Sequence, residues 1–169
     1  EVPQVDVTIT SDGLRVALYD RQDTPLFQSN HTKLTPWADF VAQNLSWLVA
    51  RYPFEIVVES YTSEQPSVDQ KEWESGDTGW ELSTRRGNIF RRRLQFYANE
   101  QLNFRSVVGY GPTSSFSERD IEEGKTNQRI SLSLSLTNPH ELPDFSMIGD
   151  DLKTPANAPV PEPQEEVDP

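Results

Sequence analysis

The sequence predicts an α+β fold in which one mixed β-sheet carries two main helices on one face. Short segments of alternating apolar and polar residues, typical of strands, occur at both ends of the folded part. Two segments with apolar residues at helical spacing separate the middle strands. A helix between two strands indicates a parallel pair joined by a crossover, whereas the opening hairpin is antiparallel. The predicted element order is therefore β-β-α-β-α-β-β.

The chain begins with a predicted β-hairpin and continues into the first helix. Apolar residues alternate over residues 5–9 and 14–18, and a Ser-Asp-Gly turn sequence lies between them. Thr35 is the expected N-cap, since a proline follows at the first helical position and apolar residues then recur at helical spacing. This helix is predicted to extend to Arg51, because Pro53 cannot continue it.

The remaining elements follow the same two periodicities. In the last strand, leucines alternate with serines, so we expect one buried face and one face in contact with water. Polar segments with glycine and proline, at 62–79 and 111–124, are predicted loops. The predicted elements of this part are a buried strand at 54–61, a helix from Trp80 to Glu100, and strands at 104–110 and 130–136.

Composition predicts one folded domain at residues 1–138 and an acidic, proline-rich tail at 139–169 that is largely disordered. From Glu141 onward, eight acidic residues occur with a single lysine, which gives that segment −7 of the total charge of −12. This charge argues against a nucleic-acid partner, since phosphate binding needs a surplus of Lys and Arg. No apolar run approaches the roughly 20 residues of a membrane-spanning helix. We expect any signal or membrane anchor to lie upstream of Glu1.

Four sequence motifs occur in an order and spacing that resemble one family. Residues 26–36 contain Leu-Phe followed by Lys-Leu-Thr-Pro, and residues 80–94 resemble the pattern WELSxxRANxxRRxL. Residues 107–111 read Val-Val-Gly-Tyr-Gly, and residues 127–130 read Asn-Gln-Arg-Ile. The chain is thus similar, over roughly residues 5–136, to the OmpA-like, peptidoglycan-associating C-terminal domain of flagellar-stator MotB-type proteins.

The resemblance implies a binding site for the peptide stem of peptidoglycan, formed in the family by an acid and an arginine. Diaminopimelate ends in both an ammonium and a carboxylate, so one acidic and one guanidinium partner bind it through charge-assisted hydrogen bonds. Arg86 matches the arginine, but the family's strand motif GHTD reads Ser60-Tyr61-Thr62-Ser63, which puts Ser63 at the acid's position. The implied peptidoglycan-binding residues are Tyr61, Thr62, Ser63, Trp80, Ser83, Arg86 and Arg129.

Departures from the family pattern leave alternatives open at this site. The closing motif has Gln128 where the family has arginine, and Gly79 stands where an asparagine usually precedes the tryptophan. Arg86 has a second interpretation, as a helix-surface arginine paired with a local acid. A nearby acid is an alternative source of the missing charge, although loop acids are more often simply solvated. The candidates for that substitution are Glu59, Glu64, Asp69 and Asp77.

Other aromatic and basic residues also have competing interpretations. Trp37, Trp47 and Trp80 occupy apolar helical positions, which favours the core. Trp73 lies in a polar loop, where an aromatic side chain often stacks on a sugar or a protein partner. The arginines at 91–93 indicate a solvated helix face, and the alternative is a patch for anionic wall polymer or for the acidic tail.

The sequence offers no catalytic or metal-binding pattern. It has no cysteine, and His31 and His140 lie far apart without acids at ligand spacing. No motif places a histidine beside a serine, and the acidic pairs at 122–123 and 165–166 lie in a predicted loop and in the tail. We therefore expect neither a metal, nor a cofactor, nor an enzymatic activity.

The resemblance implies a periplasmic module that anchors a stator unit to peptidoglycan. It further implies a homodimer, and a full-length protein held in the inner membrane by an upstream helix that works with a MotA-type subunit. The alternative is a degenerate OmpA-like domain that binds a periplasmic protein partner of a motor or envelope complex. The replacement of the acid at Ser63 favours the alternative, and the WELS pattern favours wall anchoring.

Overall fold

Five strands and two helices follow one another in a computed structural model that describes residues 5–21, 24–28, 33–62, 79–113 and 127–137. Their order confirms the predicted β-β-α-β-α-β-β arrangement. The predicted division at residue 138 stays a prediction, because the described residues end at Thr137. The elements are β1 (Val5–Ile9), β2 (Gly13–Tyr19), α1 (Pro36–Val49), β3 (Phe54–Tyr61), α2 (Gly79–Tyr97), β4 (Asn103–Gly111) and β5 (Arg129–Leu136).

The strands form one mixed sheet in the order β1-β2-β5-β3-β4. β3 and β4 are parallel and α2 connects them, which is the predicted crossover, and the other neighbouring pairs are antiparallel. The last strand in the sequence is the central strand of the sheet, where Leu132 lies between Val16 of β2 and Val58 of β3. The folded part therefore ends in the middle of the sheet, whereas it begins at the edge with β1.

Both helices cover the same face of the sheet and enclose the hydrophobic core. The alternation along β5 puts its leucines into this core, as predicted. The opposite face is less wet than predicted, because Ser131 is only 1% exposed. It is covered since β5 is central, with Ala17 and Glu59 of the flanking strands on either side of it. The fully buried large side chains include Leu18, Leu45, Ile56, Val58, Phe90, Leu94, Ile130 and Leu132.

Helix α1 begins as predicted and ends two residues earlier. The Thr35 hydroxyl accepts a hydrogen bond from the Ala38 N–H at 3.2 Å and donates one to the Pro25 carbonyl at 2.7 Å, so the cap is fixed on both sides. The core position predicted for Trp47 is wrong, since its side chain is 62% exposed. Its ring lies under the Arg51 guanidinium at 3.5 Å from the centroid, which explains why an apolar residue is tolerated on this face.

Helix α2 ends at Tyr97, before the predicted boundary at Glu100. Asn99 and Glu100 have positive φ values of 49° and 62°, and this left-handed backbone terminates the helix. Neither helix in the described ranges is long and apolar enough to cross a membrane.

An ion pair between Asp39 of α1 and Arg93 of α2 joins the two helices. The Arg93 Nη2 donates to Asp39 Oδ2 at 2.9 Å, its Nε donates to the other carboxylate oxygen, and the Tyr97 hydroxyl donates to Oδ2 at 2.7 Å. Arg92 and Arg93 are both exposed, in agreement with a solvated helix face, and Arg93 is in addition paired with Asp39. Burial acts to raise the pKa of Asp39, but the hydrogen bonds from Arg93 and Tyr97 outweigh it and lower that pKa below 3.8.

Replacing Asp39 with asparagine is expected to reduce the free energy of unfolding by about 1 to 2 kcal/mol near pH 7. Hydrogen bonds to charged groups contribute roughly 1.5 to 3 kcal/mol, and the partial exposure of Arg93 lowers that figure through solvent screening. Because the pKa of Asp39 is depressed on folding, this stabilisation is present above the unfolded value of 3.8 and disappears as the pH falls through the folded pKa.

Urea denaturation near pH 7 and near pH 2 measures this difference. The matched control is Glu55→Gln, because Glu55 contacts Arg105 at 3.5 Å in a pair that is exposed on both sides. We expect the control to change stability by less than about 0.5 kcal/mol. An Asp39→Asn penalty that persists unchanged near pH 2 would contradict the electrostatic explanation.

Candidate functional site

The carboxyl ends of β3 and β4 meet the first turns of α2, and Thr62 connects all three. Thr62 is fully buried. Its N–H donates to the Gly111 carbonyl at 2.9 Å, and its hydroxyl donates to the Gly79 carbonyl at 3.1 Å. Its own carbonyl accepts a hydrogen bond from Asn127 Nδ2 at 2.7 Å. Thr62, a predicted binding residue, therefore holds the ends of β3 and β4 and the start of α2 together.

Ser83 attaches the first turn of α2 to β4. Its hydroxyl donates to the Trp80 carbonyl and accepts from the Gly111 N–H, both at 2.9 Å. Thr84 donates a second hydroxyl hydrogen bond to the Trp80 carbonyl at 3.0 Å. These bonds use the groups that Ser83 could present to a ligand, which gives it a positioning role.

The core position predicted for Trp80 is wrong, because its side chain is 51% exposed. Gly111 has a φ of +57°, and a Cβ atom there would lie 2.8 Å from the indole Cδ2. The absence of a side chain at Gly111 therefore lets the indole ring lie directly against the backbone of β4. One part of the ring is covered by that backbone and the rest is open to solvent.

Arg86, the arginine of the motif, lies on α2 nearly two turns beyond Trp80 and is only 2% exposed. Its guanidinium carbon lies 4.6 Å from the centroid of the Phe27 ring. The helix-surface placement considered for Arg86 is therefore wrong. An acid does lie near it, however, since the charge of Arg86 acts on the carboxyl group of Asp20.

Asp20 is a residue of this region that the sequence patterns did not indicate. Burial raises the pKa of Asp20, while a hydrogen bond from the Leu26 N–H at 2.6 Å and the charge of Arg86 act in the opposite direction. Asp20 follows the end of β2, and its N–H donates to the Gln128 carbonyl at 3.0 Å. Its position beside Arg86 depends on the pairing of β2 with β5, for which no local signal exists in the sequence.

The acid that the family pattern lacks at Ser63 is not supplied by Glu59. Ser60 faces α2, so the alternation of β3 turns Glu59 to the opposite side of the sheet. There its carboxylate accepts a hydrogen bond from Arg15 Nη2 at 2.5 Å. The substitution proposed for Glu59 is therefore wrong. Ser63, the other candidate acids Glu64, Asp69 and Asp77, and also Trp73, His31 and His140, lie outside the described residues.

Tyr61 and Arg129, also predicted to bind peptidoglycan, lie on the sheet face opposite the helices. The Arg129 guanidinium carbon is 3.7 Å from the centroid of the Tyr61 ring, which in turn stacks on Tyr110 at 4.8 Å. Burial raises the pKa of Tyr61 and lowers that of Arg129. The structure thus brings Thr62, Trp80 and Ser83 together, and separates Tyr61 and Arg129 from Arg86 by the thickness of the sheet.

No group of three or more His, Asp and Glu side chains in the described part of the chain is arranged to hold a metal ion. The arrangement instead offers a buried guanidinium, a half-buried carboxyl group and an exposed indole near one end of the sheet. These groups can bind a ligand through charge and aromatic contact.

Comparison with known sequences finds a relative of this chain. No model of a known protein family matches the chain. It is 27% identical over 130 residues to Motility protein B of Escherichia coli strain K12, and the match covers 77% of this chain. The chain is homologous to Motility protein B. The match spans 41% of that protein's length.

Solved structures confirm the fold of MotB periplasmic domains. The periplasmic domain of Helicobacter pylori MotB has a TM-score of 0.58 and 18% identity, covering 91% of this chain and 93% of that one. A putative MotB-like protein from Desulfovibrio vulgaris has a TM-score of 0.61 and 21% identity, covering 78% and 81%. The cell wall anchor of the T6SS from Pseudomonas aeruginosa has a TM-score of 0.58 and 16% identity, covering 80% and 89%. The predicted OmpA-like, MotB-type fold is therefore confirmed.

Proposed function

We propose that this domain is the non-catalytic periplasmic module through which a MotB-type stator unit is anchored to peptidoglycan. The homology to Motility protein B carries the proposal. In the full-length protein, an upstream helix holds the domain at the inner membrane beside a MotA-type subunit, and two copies act as a homodimer. The same fold in the T6SS cell wall anchor supports a wall-directed role.

The proposed ligand is the diaminopimelate side chain of the peptide stem, with its carboxylate directed at Arg86. A guanidinium that is 2% exposed is poorly screened, so its attraction for a carboxylate is stronger than at the surface. Asp20 already places a negative charge beside it, and a ligand carboxylate must compete with that charge. Ser63 offers the ligand ammonium a neutral hydroxyl in place of the family's acid, which weakens that contact by roughly half.

One observation favours the second candidate function, docking of a periplasmic protein in place of the wall. Asp20 gives Arg86 an acidic neighbour within the protein itself, which balances part of the charge of the buried guanidinium without a ligand. Together with the serine at position 63, this is the arrangement expected of a domain that keeps the fold and has lost the stem site. The two candidates differ in whether Arg86 is needed for retention on the wall.

Retention of the soluble domain on isolated sacculi tests the proposal, with wild type compared to Ser63→Asp and Arg86→Ala. We expect weak retention of wild type and none of Arg86→Ala. Ser63→Asp adds a charge-assisted bond of about 1 to 2 kcal/mol, which is roughly a five- to thirtyfold gain in affinity. Absence of retention for both wild type and Ser63→Asp would exclude wall anchoring and leave the protein partner.

Two further variants keep this experiment interpretable, because Arg86 is buried. Arg86→Ala leaves the Asp20 carboxyl without its neighbouring positive charge, so Arg86→Ala combined with Asp20→Asn removes both charges and limits the loss of stability. Arg86→Lys keeps the charge and removes the planar two-point fork. If wild type is retained, both variants should bind sacculi less well than wild type at unchanged helical content, measured by circular dichroism.

A further inference from the structure

The last turn of α1 carries an exposed aromatic ring beside a positive charge, at Trp47 and Arg51. The Arg51 guanidinium lies 3.5 Å from the centroid of the Trp47 ring, yet Trp47 is still 62% exposed. Stacking within the chain has therefore left most of the indole in contact with water. Single exposed apolar residues are common on protein surfaces, so exposure alone does not indicate an occupant. The charge and the course of the chain near these two residues, called here the Trp47 patch, do indicate one.

Arg51 is an exposed cation that no carboxylate of the described ranges neutralises. The ion pairs in that part of the chain involve Arg15, Arg93 and Arg105, each with its own acid. The only acid of α1 is Asp39, which lies about two turns from Trp47 and is paired with Arg93. The Trp47 patch therefore offers an aromatic surface together with a positive charge.

The described part of the chain ends close to this patch. Thr137 follows β5 directly, and its hydroxyl donates to the Pro53 carbonyl at 3.0 Å. Pro53 lies six residues after Trp47, which is a distance of roughly 10 Å at the rise of a helix. Leu142 is five residues beyond Thr137, and five extended residues span up to about 17 Å. The tail can therefore reach Trp47 from its first leucine onward.

One segment of the tail, residues 142–148, has the composition that this patch would bind. Its large apolar residues can cover an indole, and the acids within and beside it can pair with an arginine. Beyond Leu152 the tail contains no Leu, Ile, Met or aromatic residue, so the apolar surface of the tail is concentrated here. The apolar residues of the segment are Leu142, Phe145, Met147 and Ile148, and the acids are Glu141, Asp144, Asp150 and Asp151.

We propose that residues 142–148 dock on the Trp47 patch of the same chain, with apolar side chains against the indole and an acid paired with Arg51. The point of attachment favours this occupant over a separate molecule, because a segment on a short tether has an effective concentration on the order of millimolar. The patch lies at the beginning of β3, whereas Thr62 and the proposed stem site lie at its end. The inference is therefore independent of the proposed wall-anchoring function.

Thermal melting of the 169-residue chain shows whether Trp47 and Phe145 act on each other. We expect Trp47→Ala and Phe145→Ala each to lower the melting temperature by about 2 to 4 °C, the shift that the loss of one aromatic contact causes in a chain of this size. The double variant should melt no lower than the less stable single variant, because both changes remove the same contact. Phe96→Ala is the matched control, since Phe96 is also an exposed aromatic residue but lies on α2. Its shift and that of Phe145→Ala should add.

A nitroxide label on the tail shows where the segment lies. The chain has no cysteine, so Ser146→Cys creates a single attachment site for the label. We expect the label to broaden the nuclear magnetic resonance signals of the Trp47 indole N–H and of the last turn of α1, and to leave those of Phe96 and its neighbours unchanged. Isotope-labelled chains without nitroxide, mixed with nitroxide-labelled chains without isotope, should show no broadening, because the contact is intramolecular.

These measurements can overturn the proposal in three ways. Additive shifts for Trp47→Ala and Phe145→Ala would mean that the two side chains do not touch. Broadening that is spread evenly over the domain, or centred on another surface, would exclude the Trp47 patch as the docking site. Broadening in the mixed sample would assign the patch to the tail of a second copy instead. Non-additive shifts together with broadening confined to the end of α1 in the unmixed sample would establish docking within one chain.

Discussion

Replacing Phe90 with alanine is expected to reduce the free energy of unfolding by about 3 to 5 kcal/mol. Phe90 is fully buried and is the largest of the fully buried side chains in the described residues. It projects from the middle of α2 into the core formed with the sheet. Removal of the ring loses its transfer free energy and leaves a cavity that the close-packed surroundings fill only in part. Since a small domain has a total stability of roughly 5 to 15 kcal/mol, this variant should be close to unfolding.

Phe96→Ala is the control for this measurement. Phe96 lies on the same helix but is 64% exposed, and its ring lies against Tyr97 and Arg93. Its replacement should cost less than about 1 kcal/mol. Urea denaturation followed by circular dichroism compares both variants with wild type. Equal losses for Phe90→Ala and Phe96→Ala would mean that α2 does not pack on the sheet through the face described.

The order and type of the elements could be predicted because their signals are local. The N-cap and proline at the start of α1 act within one turn, and the β-branched and apolar residues at 54–61 predicted β3 with its observed bounds. The position of β5 in the middle of the sheet depends on contacts between distant segments, and no periodicity records it. The burial of Ser131 follows from that position, which is why the last strand was expected to have a wet face.

The residues of the site could be predicted only where they belong to a family motif. The motif located Arg86, but its burial and its proximity to Asp20 depend on the arrangement of β2, β5 and α2. The orientation of Glu59 was available from the sequence, because strand alternation turns it away from its neighbour Ser60. Trp80 was expected in the core because apolar spacing alone does not show where a helix extends past the sheet that it covers.

Replacing Gly109 with alanine is expected to cost about 3 kcal/mol of stability, the upper part of the usual range for overpacking. A Cβ atom at Gly109 would lie 2.2 Å from Thr84 Oγ1, 2.6 Å from the Thr84 backbone N and 2.8 Å from Ser83 Oγ. The backbone nitrogen cannot turn aside as a side chain can, so the first turns of α2 must move away from β4. This movement strains the hydrogen bond between Ser83 and Gly111, which fixes the first turn at 2.9 Å.

Gly87→Ala provides the comparison, because the added Cβ at Gly87 would meet a methyl group of Val107 at 2.9 Å and Ser60 Cβ at 3.3 Å, both in side chains. Alanine is also favoured over glycine within a helix by about 1 kcal/mol, which offsets the crowding, so the net change should stay within about 1 kcal/mol. Adding Thr84→Ala to Gly109→Ala should restore only part of the stability, since the clash with the backbone nitrogen remains. Gly109→Ala should lower both the stability measured by urea denaturation and the retention on sacculi. Gly87→Ala should leave both close to the wild-type values. Full recovery of stability in the double variant would contradict this explanation, because it would mean that the alanine methyl group clashes with the Thr84 hydroxyl alone.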